Sequence, residues 1–177
     1  MFGGYGGIIK IINPDGSIFW KYHYYSSDYI AHHDVEMLPN GNIIVLVWER
    51  VIATDAQALG ISVDYDVFTE ALIEVNPNTN EIEWEWHSKD HLVQDIDNSL
   101  SNFGQIAESP HLINPNYFLK DNGDIMHANG IDYDEEKDVI YLSVNFYHEI
   151  WVIDHSTTTA EAASDSCLLY TSDAADD

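Results

Sequence analysis

His32-His33-Asp34-Val35-Glu36-Met37-Leu38-Pro39-Asn40-Gly41-Asn42, followed by the unbroken apolar run Ile43-Ile44-Val45-Leu46-Val47-Trp48, decides how this chain is read. A histidine pair opens one strand, Pro39-Asn40-Gly41 turns it, and the returning strand is apolar on both faces, which places it in the middle of packed sheets. The Asn-Gly pair predicts a type I′ hairpin, with positive φ at both central residues. The plan recurs at His127-Ala128-Asn129-Gly130-Ile131-Asp132-Tyr133, whose partner strand runs from Val139 to Val144. Histidines at the entrances of equivalent strands predict imidazoles that converge on one point.

Outward from these inner hairpins the pattern alternates. Ile8 to Ile12 and Ser17 to Tyr24 form a hairpin about Asn13-Pro14-Asp15-Gly16, with Ile18, Trp20, Tyr22 and Tyr24 on one face. Leu72 to Val75 and Glu81 to His87 repeat that design, and the strict alternation of Glu81-Ile82-Glu83-Trp84-Glu85-Trp86 gives one buried and one solvated face. Glu149-Ile150-Trp151-Val152-Ile153-Asp154 starts another such hairpin. The expected fold is all-β, an incomplete β-propeller of about two and a half four-stranded blades, with residues 50–70 and 92–124 as long insertions. Trp20, Trp84, Trp86 and Trp151 recur at matching positions and read as core between blades.

Composition limits the partners. The chain of 177 residues carries 31 acidic and 6 basic residues, a net charge of −25, which opposes binding to nucleic acid or to an anionic membrane surface. No stretch approaches the roughly 20 apolar residues of a membrane span, and Met1-Phe2-Gly3-Gly4-Tyr5 does not resemble a signal peptide. The one cysteine lies in Cys167-Leu168-Leu169-Tyr170-Thr171-Ser172-Asp173-Ala174-Ala175-Asp176, which resembles the read-through translation of a transposon adapter from sequencing libraries. Residues 1–165 are therefore read as the propeller domain, and residues 166–177 as a non-native tail outside it.

With the hairpins placed, the chain resembles the bacterial arylsulfotransferase family, aryl-sulfate sulfotransferases of six-bladed propeller fold. The resemblance rests on the two histidine motifs quoted above, on Trp84-Glu85-Trp86-His87 with Asp90-His91-Leu92-Val93-Gln94-Asp95, and on Glu149-Ile150-Trp151-Val152-Ile153-Asp154-His155-Ser156-Thr157-Thr158. It implies transfer of a sulfuryl group from an aryl sulfate to a phenol without a nucleotide donor or other cofactor, through a sulfo-histidine. It also implies a periplasmic or secreted location, and leaves the oligomeric state open. By motif, His33 and His127 take the places of two catalytic histidines, while the nucleophilic histidine of the family falls in a later blade, past about residue 164. Asn145 stands where the family has an arginine for the sulfate oxygens, a neutral donor in place of a bidentate cation. Arg50, the one arginine, is a substitute by elimination alone.

His32 ranks behind His33 as a substrate-binding residue, because neighbouring strand residues point to opposite faces. His91 is expected either at the pocket mouth, also binding substrate, or as a solvated loop residue. Each histidine has a structural alternative, a bond to a backbone carbonyl at a strand entrance. A transition-metal site from His32, His33, His127 and Asp34 is a competing reading, but no close His-x-His pair supports it, and no metal is assigned. The acidic series Asp132, Asp134, Glu136 and Asp138 fits a solvated hairpin tip, and Asp121-Asn122-Gly123-Asp124 a turn. A propeller that binds a ligand or partner without catalysis remains the alternative function.

Overall fold

The computed structural model describes residues 3–164 and 167–173. It is predominantly β, with antiparallel sheets that do not close on themselves. Strands β1 (Ile8–Ile12) and β2 (Ile18–His23) form a hairpin. Strands β3 (Tyr29–Met37), β4 (Ile43–Val51), β5 (Val67–Val75) and β6 (Ile82–His87) form a four-stranded meander, and β7 (Ala128–Asp134), β8 (Val139–Val144), β9 (Glu149–Asp154) and β10 (Leu168–Asp173) form a second.

The three sheets stack, and the alternation of β4 explains how. Ile43, Val45 and Val47 pack towards the β1–β2 hairpin with Ile9, Trp20, Ala71, Ile73 and Val75. Ile44 and Leu46 join Leu72, Trp84 and Trp86 in a larger core that continues into Ile140, Leu142, Trp151 and Ile153 of the second meander. Both faces of β4 are thus covered, as its sequence required, and burial at roughly 25 cal/mol per Å² of apolar surface favours the stack. The tryptophan reading holds: Trp20 lies in the first core and the other three in the second. On β2, Trp20 stacks on Tyr22 and Tyr22 on Tyr24, with centroids 5.5 and 6.0 Å apart.

The hairpin at Pro39-Asn40-Gly41 differs from expectation. Only Gly41 has positive φ (87°), and the N–H groups of Gly41 and Leu38 donate to the carbonyls of Leu38 and Asn42. This is a type I turn closed by a left-handed glycine. Pro39 dictates it, since its ring fixes the negative φ that the first central position of a type I turn requires. The Asn13 to Ser17 turn repeats the pattern around Pro14 and Gly16.

Strand β5 begins at Val67, earlier than the sequence suggested, so residues 67–70 belong to the sheet and not to an insertion. Between β4 and β5 the chain makes one short helix, α1 (Ala53–Ala58). The second insertion crosses the surface and returns at Gly123, whose carbonyl accepts the Phe68 N–H, with Asp124 bridged to Phe68 beside the start of β5. Residues 168–173, excluded from the fold on sequence grounds, pair with β9 as the outermost strand, and Cys167 and Leu168 are buried. An unpaired strand edge accepts any extended segment, whatever its origin. Ser166 and residues 174–177 of that tail, and Met1 and Phe2, lie outside the described residues. Among the described residues, no helix is long and apolar enough to cross a membrane.

Candidate functional site

The two histidine motifs meet where the meanders touch. His33 and His127 both have left-handed backbones, at φ 49° and 57°. His33 lies inside the register shift between Ala31 and Val35 on β3, and His127 immediately precedes β7, whose own shift falls between Ala128 and Gly130. The β3 bulge breaks the alternation of side chains at His33, the left-handed backbone turns the chain at His127, and both rings face the junction. The rings meet edge to face with centroids 4.9 Å apart. His33 is exposed and lines an open pocket of about 340 Å³ with Gly4, Tyr5, Lys10, His32 and Asp34. Gly4 (φ 83°) lies flat against the His33 ring, and a Cβ there would come within 2.0 Å of His33 Cε1.

Because the bulge suspends the strand rule, His32 does not point away from His33. Its Nδ1 lies 2.9 Å from His33 Nδ1, and its ring stacks on Trp48 at 3.8 Å and 5°. Its Nε2 lies 2.8 Å from Glu70 Oε2, and both side chains are completely buried. Glu70 Oε1 accepts two further N–H groups, Trp48 Nε1 at 3.1 Å and the Ala128 backbone at 2.8 Å. Three donors therefore satisfy one buried carboxylate, which ties β5 of one meander to β7 of the other next to His127. Trp48 also touches the rings of His33 and His127, each at 5.8 Å.

His127 has its own carboxylate. Asp124 Oδ2 lies 2.6 Å from His127 Nδ1, and the Asp124 side chain is 3% exposed. On the other side, His127 stacks on Phe146 at 4.8 Å, and Lys120 Nζ sits 3.7 Å from the centroid of that same ring. Burial pushes the Asp124 carboxyl above its ordinary value, against the pull of His127. Partial desolvation, then the His32 and His127 rings, push His33 below its ordinary value, so it is neutral near pH 7 and its ring keeps a nitrogen lone pair.

The other sequence candidates lie differently. Asn145 is exposed at the end of β8 and touches the site through its backbone, whose N–H donates to the His127 carbonyl at 3.2 Å. His91 is fully buried and stacks on Trp86 at 5.3 Å, in the core and neither at a pocket mouth nor in solvent. Arg50 is held by Asp66 (2.6 Å) and Asp28 (3.5 Å). Asp34 is committed to the backbone N–H groups of Val35 and Ile131. Among the described residues, no group of three or more histidine, cysteine or acidic side chains is disposed to hold a metal ion. Glu70 and Asp124 are the residues that sequence reasoning missed. Glu70 fell within a supposed insertion, and Asp124 was absorbed into a turn.

Chemically, the arrangement offers two imidazoles in contact, each backed by a buried carboxylate, one directly and one through a second imidazole. Such a pair can accept and return protons, attack an electrophile, or hold an anionic group by hydrogen bonds. Compared with known proteins, residues 3–161 match the family model described as Arylsulfotransferase (ASST). No curated protein matches the chain.

Proposed function

Because the chain belongs to the arylsulfotransferase (ASST) family, we propose that its parent protein moves a sulfuryl group from an aryl sulfate to a phenol, with His33 and His127 at the reacting centre. In the first half-reaction an imidazole nitrogen forms a bond to sulfur as the S–O bond to the donor breaks. The phenolate leaves and takes a proton from a neighbouring imidazolium. In the second half-reaction the acceptor phenol gives its proton to the neighbouring imidazole that lost one, its oxygen bonds to sulfur, the S–N bond breaks and both histidines are restored. The covalent histidine is a further one, supplied by a later repeat of the propeller to which these sheets belong, and the present chain alone is inactive. Location outside the cytoplasm accompanies this reading.

The observation that carries it is the edge-to-face contact of His33 and His127 at 4.9 Å, brought from equivalent positions of two meanders. Incubation of the parent protein with 4-nitrophenyl sulfate and a phenol should release nitrophenolate only when both substrates are present in excess over enzyme. No release under these conditions would refute the reading. A binding protein without catalysis is the second reading, favoured by Asn145 at the place of a cation. It predicts retained affinity for aryl sulfate with neither turnover nor a sulfo-histidine in the mass spectrum.

A further inference from the structure

We propose that Glu70 is a positioning residue that fixes, through His32, which nitrogen of His33 carries the proton. With one proton on each of the two rings, the chain of contacts allows one sense only. Glu70 Oε1 is occupied by two N–H groups, Trp48 Nε1 at 3.1 Å and Ala128 N at 2.8 Å, and a carboxylate offers only acceptors. At Oε2, His32 Nε2 must therefore donate, across 2.8 Å. A neutral His32 that carries its proton on Nε2 presents a lone pair at Nδ1. Its contact with His33 Nδ1, 2.9 Å away, then requires the proton to sit on His33 Nδ1. His33 Nε2 is left unprotonated. Free imidazole side chains in water favour the opposite tautomer, so the buried carboxylate selects the form that His33 would otherwise populate less.

The same logic acts independently at His127. Asp124 Oδ2, 2.6 Å from His127 Nδ1, accepts a hydrogen bond from that nitrogen and so holds a proton on it. Two different devices, one a direct carboxylate and one a carboxylate working through a ring, thus hold a proton on Nδ1 of each of two touching histidines. Glu70 couples them further, since its third donor is the backbone N–H of Ala128, the residue that follows His127. In the sulfuryl-transfer reading, on which this role depends only for its use, the free Nε2 of His33 is the lone pair that accepts the proton of the acceptor phenol.

Glu70→Gln tests the inference without changing size. The amide oxygen must still face two N–H donors, so the amide NH₂ is turned towards His32 Nε2. Every bond in the relay then reverses, and the proton of His33 moves to Nε2. Long-range ¹H–¹⁵N spectra of the full chain read the tautomers directly. The wild type should show His32 protonated on Nε2 and His33 on Nδ1, and the Gln variant the reverse, with His127 unchanged. Modification of His33 by diethyl pyrocarbonate, which needs an unprotonated ring nitrogen, should slow about tenfold in the variant, while His127 is unaffected. A wild-type His33 protonated on Nε2 overturns the inference at once, even if the variant fails to fold. So does a folded variant in which the tautomer and the modification rate of His33 stay as they were. These readouts need no turnover, so an inactive parent protein with the expected tautomers would count against sulfuryl transfer and leave the role of Glu70 standing.

Discussion

Replacing His155 with leucine should destabilise the protein in a way that depends on pH, because this residue clasps the two meanders together. His155 follows β9, and its Nε2 lies 2.9 Å from Glu74 Oε2 on β5, while its Nδ1 lies 2.8 Å from Asp138 Oδ1 at the β7–β8 turn. Burial alone would lower its pKa, but the bonds to Glu74 and Asp138 outweigh that and raise it above 6.5. Burial would likewise raise Glu74, but bonds from His155, Asn42 and Asn40 hold it below 4.5. A raised histidine stabilises fully below its unfolded value and loses this as pH rises through the folded one. A lowered carboxylate stabilises above its unfolded value and loses this as pH falls through the folded one. The clasp is therefore strongest between 4.5 and 6.5, the two unfolded values.

The bond to Glu74, whose side chain is 7% exposed, is charge-assisted and buried, and contributes about 1.5–3 kcal/mol. Asp138 is 42% exposed, so its share is about 1 kcal/mol at most. Glu74 keeps Asn40 and Asn42 as donors after the substitution, which limits the loss. The expected cost is about 2–4 kcal/mol near pH 6, and about half that at pH 9, where a neutral ring can donate only one bond. Urea unfolding followed by tryptophan fluorescence, on wild type and variant at both values of pH, measures the difference directly. Equal costs at pH 6 and pH 9, or a cost below about 0.5 kcal/mol at pH 6, would refute the reasoning.

Asp124→Asn removes the charge that orients His127, and nitrophenyl sulfate turnover by the parent protein should fall about 10²- to 10⁴-fold with little change in melting temperature. A loss under threefold would show that His127 needs no orienting group. Gly4→Ala forces a Cβ into the His33 ring and places an L side chain at φ 83°, so stability should drop by about 2 kcal/mol or more. Calorimetry with an unchanged transition would mean that the two segments do not touch in solution. Trp48→Phe keeps most of the stacking on His32 but deprives Glu70 of one donor, at a cost of about 1–3 kcal/mol in chemical denaturation. A denaturation midpoint like that of wild type would argue against a buried, fully bonded Glu70.

The sequence announces its hairpins well, because proline and glycine at the turns and apolar runs between them are local signals. Ile43 to Trp48 could be placed between two sheets from its residues alone, and the packing of its two faces into separate cores confirms it. The site was half legible. His33 and His127 stand out by repetition, and they do converge. Their partners were hidden for three separate reasons. Glu70 is a charged residue in Val67-Phe68-Thr69-Glu70, a segment with no alternation to mark it as strand, and only its pairing across from Trp48 draws it inside. Asp124 ends a Gly-Asp turn of the most ordinary kind, and its meeting with His127 depends on how a long insertion returns to β5. His32 was placed by a rule of regular strands at the very point where the strand is irregular. His91 misled because loop residues are usually wet, whereas this one packs on Trp86.

The left-handed backbone at His33 and His127 also constrains how this site can change over generations. Few side chains tolerate positive φ, and asparagine, aspartate and histidine are the non-glycine residues most at home there. A lineage that abandoned the chemistry while keeping the scaffold would therefore drift most easily to Asn, Asp or Gly at these two places, and rarely to Leu, Val or Ile. Asparagine at either position in a relative would then mark a protein that has kept its left-handed backbone there and given up its imidazoles.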